Sequence, residues 1–140
     1  MYEKKNLTYI LTALEAIEKC FIYSQEFEDS DQFFAHSEQM NFNACQILLL
    51  TIGEESKKID DALKGEFAEI PWHLIAALRN RIAHDYRSID PYISFDIIRN
   101  YLPDLKQALI KMVDRVSFEE ALMVKILRTP FYKNIRYLRP

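Results

Sequence analysis

The sequence predicts an all-α fold, an antiparallel bundle of four to five helices, on three observations. The chain has 140 residues, of which 49% are hydrophobic, so it can fill the core of one domain and is too short for two. Only two glycines and five prolines leave little turn chemistry for an all-β protein. Apolar residues also recur three and four positions apart over several long segments, which is typical of helices with one buried face.

The first helix is predicted to run over about residues 4–24. Its buried stripe would be Leu7, Ile10, Leu11, Leu14, Ile17 and Phe21. The acidic stretch 26–31 then predicts a loop, in which Ser30 or Asp31 can cap the helix that follows.

The second helix is predicted to run from this cap to about Leu63, with a break near residues 36–37. Its buried stripe would include Phe42, Cys45, Leu49, Ile52 and Ile59. Gly53 lies inside this helix, where glycine costs about 1 kcal/mol relative to alanine. A close crossing with another helix would offset that loss.

Two further helical regions and a short last helix complete the predicted bundle. Ile70-Pro71 opens a third helix, because proline is tolerated at the first helical position, and residues 88–91 end it. Its buried stripe would be Trp72, Ile75, Ala76, Leu78 and Ile82. Residues 92–115 form the fourth region, interrupted at Pro103, and residues 118–127 form the last helix.

These elements predict a bundle over residues 1–116, followed by a C-terminal helix and basic tail over 117–140, which pack on the same domain or extend from it. The net charge of −3 is unevenly distributed. Up to Leu78 there are 6 basic and 14 acidic residues, whereas from Arg79 onward there are 12 basic and 7 acidic ones. Residues 121–140 contain five cations, no acid and three aromatic side chains. Such a stretch suits RNA, but a solvated tail or an arm on an acidic partner subunit explains it equally well.

The sequence also indicates the cellular compartment and argues against a membrane span and a metal site. No apolar run approaches the length of about 18 residues needed to span a bilayer, and the N-terminal segment is amphipathic rather than secretory. Cys20 and Cys45 lie in apolar helical contexts without metal-ligand spacing, so we expect buried, reduced thiols in a cytoplasmic protein. The three histidines are too scattered to predict a metal site, and nothing indicates a cofactor.

The most informative segment is the octet at residues 79–86, which reads Arg-Asn-Arg-Ile-Ala-His-Asp-Tyr. It gathers two guanidinium groups, an amide, an imidazole and a phenol into little more than two helical turns. These groups can bind phosphate and transfer protons. A helix-end histidine beside a solvated arginine is the plainer interpretation for any one of these residues, but we favour a functional site for the set.

Helical spacing sets the geometry of this octet. Arg79 and Tyr86 are seven residues apart and would share a face, and Asn80 lies four residues before His84, close enough to orient its imidazole. Arg79 and His84 are five apart, about 140° around a helix, so they converge poorly within one chain. They would meet in a cleft that wraps the helix, such as a dimer interface, or where the helix ends.

The octet and its flanks resemble the HepT-like family of the HEPN (higher eukaryotes and prokaryotes nucleotide-binding) superfamily. Its Arg-x4-His-x-Tyr signature is matched, with the same spacing, by Arg79, His84 and Tyr86. The segments that carry the rest of the resemblance are Ile52-Gly53-Glu54, Pro71-Trp72-x-x-Ile75, Leu78-Arg79-Asn80, Ile89-Asp90 and Leu102-Pro103-x-Leu105. Together they cover roughly residues 4–112.

The resemblance implies a HEPN-like helical bundle and a homodimer, with the motif of both chains in the interface cleft. It further implies the toxin of a toxin–antitoxin system, a metal-independent endoribonuclease that leaves 2′,3′-cyclic phosphate ends. The partner would be a minimal nucleotidyltransferase that silences the toxin by adenylylation (AMPylation) of Tyr86. The sequence departs from the family pattern at Arg87-Ser88 and beyond about Ser117, which puts the substrate range in doubt.

The residue chemistry agrees with that expectation. Attack by a ribose 2′-hydroxyl on its own phosphate needs a base and cationic donors, which His84 and Arg79 would supply. Asn80 would orient the imidazole, and Arg81 would hold a flanking phosphate. Two alternatives stay open: a non-catalytic module that binds a nucleotide or the partner enzyme in the same cleft, and a purely structural helical dimer.

Overall fold

The computed structural model describes all residues from Met1 to Pro140 and confirms the all-α prediction. The α-helices in chain order are α1 (Lys5–Ser24), α2 (Ser30–Ala35), α3 (Met40–Lys58), α4 (Asp61–Gly65), α5 (Trp72–Asp85), α6 (Pro91–Asp96), α7 (Leu102–Val113) and α8 (Glu120–Leu127). Three 3₁₀ segments and one π-helical turn join or extend them, at His36–Gln39, Tyr86–Ser88, Pro130–Leu138 and, for the π turn, Ile97–Tyr101.

Helices α1 and α3 are antiparallel, because hydrogen bonds join opposite ends of the two helices. Asn6 at the start of α1 bonds Asp60, just after α3, through both its amide nitrogen and its amide oxygen, each at 3.0 Å. At the other end the Asn41 amide donates to the carbonyl oxygen of Tyr23 at 2.9 Å. The buried Asn6 side chain therefore fixes the register of the pair.

Helix α7 lies antiparallel to α1 by the same criterion. The Tyr2 N–H donates to the Arg115 carbonyl oxygen at 2.8 Å, beyond the end of α7. At the opposite end of the pair, the Arg99 guanidinium donates to the carbonyl oxygens of Ser24 at 2.7 Å and Phe27 at 2.6 Å. Together, α1, α3, α5 and α7 form the bundle.

The core consists of the predicted apolar stripes. All predicted positions of the first and second predicted helices are buried except Phe21, which is half-buried. On α5, Trp72 is also half-buried, and the prediction for Ala76 is wrong because this side chain is exposed. Cys20 and Cys45 are buried and unbridged, and burial raises the pKa of the Cys20 thiol. None of the helices has the length and apolar character that crossing a bilayer requires.

The predicted second helix is in fact three elements. Its break near residues 36–37 is confirmed, because Ser37, Glu38 and Gln39 all have positive φ and turn the chain between α2 and α3. Helix α3 also ends at Lys58 rather than near Leu63. Ile59 is extended there, which directs Asp60 towards its hydrogen bonds with α1 and makes α4 a separate helix.

The predicted fourth region is continuous, but its hydrogen-bonding pattern changes from α-helical to π-helical and back to α-helical. The π turn at 97–101 lies directly before Pro103. Proline has no N–H to donate to the carbonyl oxygen of Arg99, four residues earlier, so an ordinary α-helical turn would leave that oxygen unpaired. The π turn is the local adjustment that lets α6 continue into α7.

The last residues pack along α1. The buried Glu15 carboxylate accepts hydrogen bonds from the Asn134 N–H at 2.7 Å and from the Asn134 amide at 2.9 Å. The Tyr137 hydroxyl donates to Glu18 at 2.5 Å. Half of the predicted basic tail is thus an ordered 3₁₀ segment whose polar side chains satisfy acidic groups of α1.

The contact between α3 and α5 depends on Gly53. A Cβ atom at this position would overlap the Cβ of Arg79, lie 2.8 Å from its Cγ and lie 3.2 Å from the carbonyl oxygen of Ile75. Only glycine allows the two backbones to come this close. The close crossing predicted for Gly53 is confirmed.

We expect Gly53→Ala to lower the free energy of unfolding by about 1–3 kcal/mol, the usual cost of overpacking, in spite of the better helix propensity of alanine. The Arg79 Cβ cannot rotate away, because it is fixed to the backbone of α5. The matched control is Gly65→Ala, where nothing lies within 4 Å of the added methyl group. Chemical denaturation of both variants measures the difference, and equal stabilities would contradict the close-packing account.

Candidate active site

Helix α5 carries most of the octet on its exposed side. Ile75, Leu78 and Ile82 are buried against the bundle, so the side chains of Asn80, Arg81 and His84 are left exposed. Arg79 lies at the boundary between the two faces, and its side chain is 24% exposed. The predicted amphipathic pattern therefore places the polar residues at the protein surface.

Arg79 is held by two hydrogen-bond partners. Its Nε donates to Glu54 Oε1 at 2.7 Å, and its Nη2 also donates to that carboxylate oxygen. Its Nη1 donates to the amide oxygen of Asn80 at 2.9 Å. Glu54 follows Gly53 in α3, so the close helix crossing is also what brings this carboxylate to the guanidinium.

These bonds leave part of the guanidinium free for a ligand. Arginine has five N–H donors, and three of them bond Glu54 and Asn80. One N–H remains on each of Nη1 and Nη2. Two guanidinium N–H donors can act as a planar fork that matches two oxygens of a phosphate.

Sequence reasoning did not identify Glu54 as a site residue. The signal was present, since Ile52-Gly53-Glu54 is one of the segments that carry the family resemblance. A glycine before an acid within a helix indicates that another helix passes closely and that the acid faces its side chains.

Asn80 does not have the contact that the sequence predicted. Its amide oxygen accepts from Arg79 instead of orienting His84. The two residues are adjacent on α5, and their contact depends on the rotamers of both side chains, which helical spacing does not predict. Arg81 is exposed and donates to the carbonyl oxygen of Ser88 at 3.3 Å, so it also braces the turn after the helix.

His84 is exposed in the last turn of α5. The residues from Arg79 to His84 are regular helix, so the two side chains project about 140° apart, as the spacing predicted. Within a single chain, these two side chains therefore do not reach a common atom.

Tyr86 does not share the helical face of Arg79, and that prediction is wrong. Helix α5 ends at Asp85, whose φ of −162° and ψ of 74° break the helix, and Tyr86 begins a 3₁₀ turn. The Ser88 hydroxyl closes this turn by donating to the Asp85 carbonyl oxygen at 2.8 Å. The buried Ile89 anchors its end, and Tyr86 itself is 46% exposed. The phenol is thus accessible at a fixed turn beside the helix end.

The octet does not border the cavity that lies at the start of α5. That cavity, of about 790 Å³, is lined by the start of α5 and by α6, the π turn and α7, and none of residues 79–86 borders it. No three or more His, Cys, Asp or Glu side chains are grouped as metal ligands. The candidate site is therefore an exposed surface built around Arg79, His84 and Tyr86 rather than a deep pocket.

Comparison with known proteins identifies the family of the chain. The family model described as ribonuclease HepT-like matches residues 10–112. A protein of Thermococcus cleftensis named "Probable ribonuclease HepT" is 29% identical over 112 residues, which are 79% of this chain and 97% of the relative. No solved structure matches.

A second relative shares the same region within a longer protein. It comes from Methanocaldococcus jannaschii, is named "Gamma-glutamylcyclotransferase and putative RNase", and is 24% identical over 79% of this chain. This chain spans 47% of that relative. The family match contains Gly53, Glu54 and the entire octet, and it covers most of the chain, so this protein belongs to the ribonuclease HepT-like family.

Proposed function

We propose that this member of a ribonuclease family is a metal-independent endoribonuclease and the toxin of a toxin–antitoxin pair, with a minimal nucleotidyltransferase as antitoxin. The observation that carries the proposal is the Arg79 guanidinium, which Glu54 and Asn80 hold with one free N–H on each Nη atom. His84 of the same signature is exposed five residues further along α5. RNA is the substrate class that combines a phosphate with an internal nucleophile.

Arg79 would bind the scissile phosphate. Its free fork fits two non-bridging oxygens, and Glu54 fixes the plane of the guanidinium before substrate arrives. As the ribose 2′-oxygen adds to phosphorus, negative charge grows on those oxygens, and the fork stabilises this charge. Arg81, on the exposed side of α5, would contact a neighbouring phosphate.

His84 would move the proton. It takes the proton of the 2′-hydroxyl while the 2′-oxygen bonds to phosphorus and the bond from phosphorus to the 5′-oxygen breaks. The departing 5′-oxygen receives a proton from a second acid. The products are a 2′,3′-cyclic phosphate and a 5′-hydroxyl, and the step requires neither metal nor redox cofactor.

A homodimer would supply the second acid, and it would also bring an Arg79 and a His84 together at one phosphate. Arg79 and His84 project about 140° apart on one chain, so a second copy packed over α5 could place its His84 opposite the Arg79 of the first. Small exposed residues suit such an approach, and Ala76, Ala77 and Ala83 lie around the polar ones on α5. On α3, Met40 and Ile47 are exposed apolar residues seven apart, on one face.

The dimer predicts that a charge on the outer face of α5 separates the subunits. We expect Ala77→Glu to convert a dimer into a monomer, because two buried carboxylates would oppose each other across a symmetric interface. Sedimentation velocity measures the mass of the assembly. The matched control is Ala62→Glu, an equally exposed alanine on α4. A wild-type monomer, or loss of the dimer in both variants, would contradict this assembly.

The ribonuclease proposal predicts that Arg79→Ala and His84→Ala each reduce RNA cleavage by at least about 100-fold, the usual contribution of one catalytic group. Growth inhibition on expression should disappear with each substitution. Cleavage is measured on tRNA and mRNA with EDTA present, and the new ends are analysed for cyclic phosphate.

The control for this experiment is His73→Ala, which removes an exposed histidine from the other end of the same helix and should leave cleavage unchanged. Arg79→Lys tests the fork, because lysine keeps the charge but not the paired donors. If unmodified wild-type protein cuts neither RNA class, the non-catalytic binding module becomes the better account.

Tyr86 would be the acceptor of adenylyl groups. Its phenol is accessible at the turn after α5, where a nucleotidyltransferase can reach it. The phenolic oxygen would attack the α-phosphorus of ATP, pyrophosphate would leave, and the phenolic proton would pass to solvent. The resulting phosphodiester carries negative charge close to the end of α5, where it would compete with the phosphate of RNA.

We expect wild-type protein to gain the mass of an adenylyl group when incubated with its nucleotidyltransferase and ATP, and to lose cleavage activity in proportion. Tyr86→Phe should stay active and unmodified, because it lacks the nucleophilic oxygen. Intact-mass spectrometry and the RNA assay provide the two readouts. Tyr92→Phe, at an exposed tyrosine on the next helix, should behave like wild type. Modification of Tyr86→Phe would contradict the assignment.

A further inference from the structure

A separate groove of about 430 Å³ opens beside Tyr86. One wall comes from the turn after α5 and the start of α6, with Tyr86, Arg87, Ile89 and Pro91. The other comes from α2, the break before α3 and the first turn of α3, with Phe34, Gln39, Phe42 and Asn43. The volume is at the small end of the range of about 300–1,000 Å³ for ligand pockets, so it suits a single nucleotide rather than a longer segment.

The apolar wall is rigid. The rings of Phe34 and Phe42 pack edge to face with centroids 4.9 Å apart. Phe42 also packs against Phe33 at 6.0 Å, and Phe33 against Phe95 at 5.4 Å. This aromatic cluster ties α2, α3 and α6 together behind the groove. Phe42 is buried and holds the half-buried Phe34 in place, so a flat ring that entered the groove would meet Phe34, and every nucleobase can stack on such a ring.

The polar edge of the groove carries two amides and a cation. Gln39 and Asn43 are both exposed, and Gln39 does not use its side chain to cap α3. Amide side chains offer paired donors and acceptors that can read the edge of a base. Arg87, on the opposite wall, is also exposed and can bind a phosphate attached to that base.

Backbone strain forms part of the same wall. Gln39 has φ of 71° and follows Ser37 and Glu38 at 47° and 55°, a run of three left-handed residues without glycine. Such a conformation is strained for residues other than glycine, and the strain persists where the surrounding structure holds it. Here the strain directs Gln39 into the groove.

We infer that this groove binds one nucleobase with its attached phosphate, by stacking on Phe34 and by hydrogen bonds to Gln39 and Asn43. The inference extends the proposed function, because it names a nucleotide subsite next to the octet. Two sources present this chemistry: a nucleotide of the RNA substrate next to the cleaved bond, and the adenylyl group carried by Tyr86. Occupation by either source excludes the other.

The first experiment uses mononucleotides as probes. The full chain, labelled with ¹⁵N, is titrated with AMP, GMP, CMP and UMP, and the backbone and side-chain amide signals are followed. We expect signals of groove residues to shift, and we expect Asn43→Ala to weaken binding of at least one nucleotide by about tenfold, the loss of one base-edge contact. The matched control, Gln25→Ala, removes an exposed amide at the end of α1. No shifts in the groove, or equal affinities in both variants, would overturn the inference.

The second experiment separates the two sources and separates this inference from the proposed function. If RNA uses the groove, Asn43→Ala should cut at altered sites, whereas Gln25→Ala should keep the sites and the total cleavage of wild type. If the adenylyl group uses it, the modified protein should no longer bind added AMP. A wild type that cuts no RNA but binds nucleotides in the groove would remove the ribonuclease proposal and keep the subsite. Cleavage at unchanged sites by Asn43→Ala, together with undiminished AMP binding by the modified protein, would remove the subsite and keep the ribonuclease.

Discussion

The close approach of α3 and α5 at Gly53 is the constraint on which the candidate site depends. A side chain at this position would collide with the Cβ of Arg79, so the presence of glycine sets the separation of the two helices. This separation brings Glu54, the next residue, within hydrogen-bonding distance of the guanidinium. Glycine lowers the helix propensity at this residue by about 1 kcal/mol. The close crossing that it permits holds the Arg79 guanidinium in place, which would otherwise be on a mobile surface side chain.

The site combines a fixed part and an accessible part. Arg79 is fixed by three hydrogen bonds and keeps one free N–H on each of Nη1 and Nη2. His84 and Tyr86 lie beyond it, at the end of α5 and in the turn that follows, where they are exposed. This arrangement suits the proposed ribonuclease, in which Arg79 would be ready to bind phosphate before substrate arrives and a second enzyme could reach Tyr86. The nucleotide groove adds a base-binding element on the side of Tyr86.

Periodicity was sufficient to predict the helices and most of the core, because each long helix buries a continuous stripe such as Leu7 to Ile17 on α1. Periodicity failed where the backbone conformation of a single residue determines the direction of the chain. The break at Asp85 separates Tyr86 from the face of Arg79, and nothing in the helical spacing reveals it. The contact of Asn80 with Arg79 and the role of Glu54 depend on rotamers and on a neighbouring helix. Local sequence does not encode these contacts, although Gly53 indicated that a close crossing existed.

The most direct test of the account is an RNA oligonucleotide that the protein cuts, with one 2′-deoxynucleotide placed on the 5′ side of a cleaved bond. The reaction is run with EDTA present, and the all-ribose oligonucleotide is the reference. If the 2′-hydroxyl is the nucleophile, the bond after the deoxynucleotide stays intact, other bonds are still cut, and the new ends are 2′,3′-cyclic phosphates. Cleavage at the deoxynucleotide at the same rate would contradict the mechanism, because another nucleophile would then be attacking the phosphate that Arg79 is proposed to hold.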